Sequence, residues 1–253
     1  MPIKNIYLLG GWSQNLSEEP LSIFDYMMYG MVNNLTDLTT TGTQKNPSWS
    51  PEKSSAPRYK GYSGPVAWTY GGGFCSPTEM PSSEADVNRI VVATQKNKWD
   101  AVDFDDECNM NVEHVISAMK ILKTDHKFTS YGFIAGFSYN HPDTEAGNKL
   151  NQKVKKIVES GQCDKLVHYC YGTSMWSMQD IKNNVRQALD RSIAHGMSHE
   201  KVILALTTRG LDDENLNYFL DQITELKIGG LFIWAYHELQ AEHERIIVER
   251  LKN

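Results

Sequence analysis

The sequence predicts an α/β fold, and within that class a closed (β/α)8 TIM barrel with an irregular or missing helix after the second strand. Three observations carry this. Eight short apolar segments recur along the chain, stretches with apolar residues at helical spacing fall between them, and 253 residues is close to the roughly 250 that such a barrel takes. Strands alternating with helices indicate a parallel sheet, and eight of them close most simply into a barrel. With no repeat, linker or low-complexity tail, residues 1–253 are read as a single barrel domain.

The strand segments are Ile3–Leu9, Ile23–Val32, Val66–Tyr70, Ala101–Asp105, Tyr131–Phe137, Leu166–Tyr171, Val202–Thr207 and Leu231–Trp234. Each has the length and apolar run expected of a strand buried on both faces. Between them, Val87, Ile90, Val91 and Thr94 follow a cap at Ser82-Ser83, and Val112, Val115, Ile116, Met119 and Leu122 make a second stripe. Leu150, Val154, Ile157 and Val158 make a third, and Ile181, Val185, Leu189 and Ile193 a fourth that ends at Gly196. Leu216, Phe219, Leu220 and Ile223 precede a last stripe at Ile246, Ile247 and Leu251. These are core-facing stripes with no cofactor role. Thr39–Gly64, rich in Thr, Ser, Lys and Pro, lacks periodicity and stands where a barrel helix should be. A loop that long is often functional.

Composition excludes several classes. The net charge is -6, with 40% hydrophobic and 22% charged residues; there is no basic footprint for nucleic acid. A neutral polymer such as a glycan faces no electrostatic penalty. No apolar run reaches the 18 or so residues of a membrane span, and the first twelve residues lack the pattern of a signal peptide. The compartment is left open between the cytoplasm and secretion with a signal already removed, and a monomer is expected. None of Cys75, Cys108, Cys163 and Cys170 forms a CxxC pair, so they are read as free thiols; Cys75 with Cys108 is left open as a disulfide.

The segment with chemistry is Asp100-Ala101-Val102-Asp103-Phe104-Asp105-Asp106-Glu107. On a strand, residues spaced by two point the same way, so Asp103, Asp105 and Glu107 share a face and climb roughly 6.6–6.8 Å per step. With Phe104 toward the helices, the three carboxyls face the barrel interior. Buried acids are costly unless protonated or paired. Glu107, at the C-terminal rim where substrate enters, is expected to keep its proton through the influence of neighbouring carboxylates and to act as an acid. Asp103 and Asp105 beneath it are expected to share a proton. A solvated acidic turn and an oxygen-ligand metal site are the competing readings; the segment lacks EF-hand spacing and its glycine.

This pattern resembles glycoside hydrolase family 18, the chitinase family, whose fourth strand carries Asp-Gly-x-Asp-x-Asp-x-Glu. Asp100, Asp103, Asp105 and Glu107 match, with Ala101 in place of the Gly. The third strand of that family ends in Ser-x-Gly-Gly, matched by Thr69-Tyr70-Gly71-Gly72, and the eighth carries a Trp under the sugar, here Trp234. The sixth provides a Tyr near the acetamido group; counting along the strand places it at Tyr171, with Tyr169 on the same face and Gly172 where Asp or Asn is usual. Ala135–Asp143 most resembles the compact plant-type chitinase/lysozyme branch.

The resemblance implies a retaining, substrate-assisted hydrolase of β-1,4-linked N-acetylglucosamine glycans, needing no cofactor or metal. Glu107 is then the acid and base, Asp105 orients the substrate acetamido group above Asp103, and Tyr171 donates to its oxygen. Trp234, Tyr169, Gly71 and Gly72 are implied at the substrate. Trp12, Trp49 and Trp176 fall on loops at the same face and are candidate sugar-stacking walls, with ordinary packing as the competing reading. Trp68 and Trp99 are read as core, and His141 and His237 as surface or cleft residues without metal-ligand spacing. The alternative to an enzyme is a catalytically inactive chitinase-like lectin or storage protein; a barrel enzyme using the acids on a metal is the third reading.

Overall fold

The computed structural model describes residues 6–11, 23–32, 64–72, 81–107, 109–170 and 177–252, without the side chains of 29–32. Eight parallel strands close into a barrel in sequence order. They are β1 (Tyr7–Gly11), β2 (Tyr26–Val32), β3 (Val66–Gly71), β4 (Ala101–Asp105), β5 (Phe128–Ile134), β6 (Lys165–Tyr169), β7 (Val202–Thr207) and β8 (Gly230–Trp234). β8 pairs with β1 from Tyr7↔Gly230 to Gly11↔Trp234, so none of these eight strands is left as a sheet edge.

The described helices are α1 (Glu84–Asn97), α2 (Val112–Thr124), the one-turn α3 (Phe137–Asn140), α4 (Glu145–Glu159), α5 (Met178–Ala194), α6 (Asp213–Leu226) and α7 (Ala241–Leu251). Ser83 caps α1 by accepting from the Asp86 amide. Gly196, at φ 101°, follows α5 in the left-handed conformation expected of a terminating glycine. The irregular segment expected after the second strand lies outside the described residues. Among the described residues, no helix is long and apolar enough to cross a membrane.

Strand alternation divides the core in two. Outward side chains such as Leu8, Trp68, Phe104, Tyr131, Leu166, Leu204 and Leu231 join the helix stripes in one cluster. Inward side chains form the second: Leu9, Met28, Ala67, Ala101, Val167, Tyr169, Ile203, Ala205 and Phe232. Trp68 and Trp99 stack at 4.2 Å in the outer layer, as core residues. Cys163 and Cys170 are buried free thiols, as expected; Cys75 and Cys108 lie outside the described residues.

The N-terminal rim is tied by a repeated device. Asp25, Asp100 and Asp164 each stand one residue before an even-numbered strand. Their carboxylates accept the backbone N–H of Leu8, Val66 and Thr129 at 2.8, 2.8 and 3.0 Å. Their own amides donate back to the carbonyls of the same three residues. Before β8 the place is taken by Gly229, where a side chain would run into the Glu200 carbonyl.

Several strand boundaries differ from expectation, among them the end of β6, which stops at Tyr169 and not Tyr171. β5 starts three residues earlier because inward Ser130 interrupts the apolar pattern, and Phe137 begins α3. β2 starts at Tyr26 and β1 runs on to Gly11.

Candidate active site

The interior of β4 carries the acids in layers. Ala101, where the family pattern has Gly, places its methyl in the inner apolar cluster, so the extra carbon is packed. One step up, Asp103 lies in register between Thr69 of β3 and Ser130 of β5. It accepts from the Ser130 hydroxyl at 2.5 Å and from the Tyr169 hydroxyl at 3.1 Å. Burial nevertheless pushes its carboxyl up to about 6, because loss of water outweighs the donated hydrogen bonds.

Asp105 lies in register between Gly71 and Gly132, so both flanking strands leave its sides free of side chains. It is 2% exposed. Burial first, then the charges of Glu107, Asp103 and Asp106, hold its proton well above the usual carboxylate range. It is hydrogen-bonded to Glu107, while its Oδ1 is buried with no hydrogen-bond partner among the described residues. Glu107 is half-buried and is also raised, chiefly by burial, with the bond to Asp105 opposing. This corrects the expected proton distribution. The directly bonded pair is Asp105 with Glu107, because Asp103, a step deeper, is taken up by two hydroxyls. Burial, more than neighbouring charge, raises Glu107.

The glycines serve the backbone. Gly71 and Gly72 have φ of 106° and 91°, conformations costly for other residues. The Gly72 amide donates to the Asp105 carbonyl at 3.0 Å, and a side chain on Gly71 would strike that carbonyl and the Met110 methyl. They bring the end of β3 against the acidic strand. Tyr169, expected at the substrate, is 1% exposed. Its ring fills the space beside Gly132 and its hydroxyl is engaged by Asp103. Tyr169 is the last residue of β6, and its inward ring props Asp103 from across β5. Trp234 ends β8 half-buried, with Phe232 one step below at 6.1 Å. A side chain at Gly11 would come within 2.5 Å of the Phe232 ring and 3.0 Å of the Trp234 ring; β1 therefore yields room to the β8 aromatics.

Tyr171, Gly172, Trp12, Trp49 and Trp176 lie outside the described residues. His141 stacks on Phe137 at 3.8 Å beyond β5, and His237 lies on the turn after β8, 3.6 Å from Glu238. Among the described residues, no three His, Cys, Asp or Glu side chains converge as a metal cage.

Several participants escaped sequence reasoning. Ser130 shows its place only through register. Ile134, 43% exposed, stands one inward step above Gly132 at the mouth. Asp106 points the other way from Asp105, is 7% exposed, and binds Met110, Tyr131 and Lys153.

No family model matches the chain, and no curated protein matches it in sequence. Solved structures do match. The catalytic domain of a hyperthermophilic chitinase from Pyrococcus furiosus aligns with a TM-score of 0.61 at 14% identity, over 92% of this chain and 84% of that one. A chitinase from Chromobacterium violaceum aligns at 0.62 and 10%, over 98% and 99%. A double mutant of a GH18 chitinase from Cycas revoluta, in complex with (GlcNAc)4, aligns at 0.59 and 11%, over 97% and 98%. At such identities the likeness is one of architecture: the chain is built on the same (β/α)8 barrel as these chitinases.

Proposed function

We propose that the chain is a glycoside hydrolase that cleaves β-1,4-linked N-acetylglucosamine glycans of the chitin or chitooligosaccharide type, with retention of configuration. Glu107 is its general acid and base. The observation that carries the reading is the Asp105–Glu107 pair: two carboxyls that act on each other at the rim, both raised, with a buried Asp105 Oδ1 that has no hydrogen-bond partner among the described residues. A substrate amide N–H is the donor that fits this oxygen. Of the compared proteins, that from Cycas revoluta was solved with (GlcNAc)4 and a Pyrococcus furiosus chitinase domain with chito-oligosaccharides, which supports a glycan of this kind.

In the proposed reaction, Glu107 gives its proton to the glycosidic oxygen as the anomeric C–O bond breaks. The substrate's 2-acetamido oxygen attacks the anomeric carbon and forms an oxazolinium ion. Asp105 accepts from the acetamido N–H and stabilises the developing charge, and Asp103 supports Asp105 from below. Water then attacks the anomeric carbon and yields a proton to the Glu107 carboxylate, while the bond from that carbon to the acetamido oxygen breaks and the acetamido group is restored. The chain contributes a tuned acid and preorganised charge, with no metal or organic cofactor in the scheme. Tyr171 is assigned the bond to the acetamido oxygen, Trp234 the floor of the sugar site, and Trp12 and Trp176 its walls.

The second reading is a glycan-binding protein without turnover. Gly172, where a polar residue is usual, favours it; the retained Glu107, Asp105 and Asp103 favour the enzyme. Turnover of fluorogenic chitobiose and chitotriose decides. Activity in the wild type and a loss of at least about a thousandfold in Glu107→Gln supports the enzyme. Activity that survives the substitution sinks the assignment of the acid. Micromolar binding of chitooligosaccharides without turnover supports the lectin, and activity abolished by a chelator supports a metal enzyme.

A further inference from the structure

The loop that carries Glu107 is short and held from outside the barrel. Asp106 continues the β4 ladder through its amide, which donates to Gly132 at 2.9 Å. Its side chain turns away from the interior into the layer between β4 and α4. There Oδ2 accepts from the Tyr131 hydroxyl and from Lys153 Nζ, each at 2.6 Å, and Oδ1 accepts from the Met110 amide at 2.6 Å. That last bond spans the loop: Asp106 stands on one side of Glu107 and Met110 three residues beyond it. Between them Asn109 is in the left-handed conformation, at φ 65°. Asn111 accepts from the Glu113 amide and starts α2. The Met110 side chain is 1% exposed and its methyl fills the space beside Gly71. The lysine comes from α4, 47 residues on. It forms the wall of an open cleft of about 540 Å³ with Asp106, Asn109, Glu145, Lys149 and Leu150.

We infer that the Asp106–Lys153 ion pair, seated on Tyr131, is a positioning device that fixes the Glu107 loop. This rests on Glu107 being the proton donor proposed above. Three short hydrogen bonds converge on a nearly dry carboxylate, one to the backbone of the loop itself. Neither residue touches the barrel interior where the substrate would lie. A buried ion pair is a poor device for stability alone, since an apolar replacement of similar volume is often neutral or better. Charge-assisted bonds do, however, fix direction. Displacement of a catalytic group by about an ångström can cost a hundredfold in rate.

The test is the double variant Asp106→Leu/Lys153→Met, which replaces the pair by apolar residues, beside the single variants Lys153→Met and Lys153→Arg. With fluorogenic chitotriose, the folded double variant is expected to lose about tenfold to a hundredfold in kcat with KM within about twofold. Its Met110 amide, followed by NMR hydrogen exchange, should lose the protection it has in the wild type. Lys153→Arg should retain most of the kcat that Lys153→Met loses. A folded double variant with wild-type kcat overturns the inference, as does unchanged exchange at Met110. If the double variant does not fold, equal kcat in Lys153→Met and Lys153→Arg overturns it. A wild type that turns over no chitooligosaccharide overturns the hydrolase reading instead, and the Met110 exchange then decides the positioning role alone.

Discussion

Tyr169 donates to Asp103 Oδ2 across 3.1 Å, reaching from β6 to β4 over the intervening β5. The bond exists because Gly132 of β5 leaves room for the ring. Asp103 is thereby held from two strands, by Ser130 and by Tyr169, directly below the pair at the rim.

Tyr169→Phe keeps the ring and removes the donor. It is expected to cost about 1–3 kcal/mol in urea unfolding, as for other buried groups that lose a partner. In the proposed enzyme it should also lower kcat with little change in KM, because Tyr169 lies beneath the acids. A rise in KM at constant kcat would place the ring at the substrate after all.

Asp103 makes stability depend on pH. Its carboxyl is near 3.8 as a model group and at about 6 in the fold, so the folded chain keeps a proton that the unfolded chain has released. The stabilisation is full below the unfolded value and is lost as pH rises through about 6. Asp103→Asn removes this slope. Relative to the wild type it should gain about 2 kcal/mol between about pH 4 and pH 7, read from denaturant melts at the two values.

His168 works in the opposite sense. It lies in the outer layer of β6 against the rings of Phe133 and Tyr139, at 4.9 and 6.2 Å. Neither ring nitrogen has a hydrogen-bond partner among the described residues. Burial lowers it from 6.5 to about 3. Stability is therefore full above the unfolded value and is lost as pH falls toward about 3, the unfolded imidazole binding the proton first. His168→Leu should remove about 2 kcal/mol of the loss between about pH 7 and pH 5. It should also raise the melting temperature at neutral pH, since two unpaired polar atoms leave the core. An unchanged acid slope would show that the imidazole is solvated in solution.

Gly71→Ala tests the close approach of β3 to β4. At φ 106° the new methyl is strained, and it would meet the Asp105 carbonyl and the Met110 side chain. A loss of about 1–3 kcal/mol or more is expected, together with reduced turnover, since the displaced carbonyl belongs to Asp105. Wild-type melting and activity would contradict the packing described for this rim.

What could be read from sequence followed from local pattern. β4 was legible to the residue because Val102 and Phe104 alternate with Asp103 and Asp105, and β7 because Val202–Thr207 is an unbroken apolar run. β5 was displaced because Ser130, a partner of Asp103, breaks the pattern at an inward position. Trp234 could be singled out because it ends β8, and Glu107 because it carries the Asp103–Asp105 spacing two residues past the end of β4. Asp106 could not, because its meaning depends on Lys153, 47 residues away. The prop role of Tyr169 depends equally on a glycine in the neighbouring strand. Register and long-range partners carried the information that spacing lacked.

The three aspartates at the N-terminal rim divide the circle of strands into units. Asp25 joins β2 to β1, Asp100 joins β4 to β3, and Asp164 joins β6 to β5. No such carboxylate joins β2 to β3 or β4 to β5 among the described residues. A chain opened between α2 and β5 would therefore keep each carboxylate in the same piece as the amide it holds. One opened between α1 and β4 would part Asp100 from Val66. The ring is continuous in hydrogen bonding yet laced in twos, so its natural seams for fragment exchange and circular permutation lie before the odd-numbered strands.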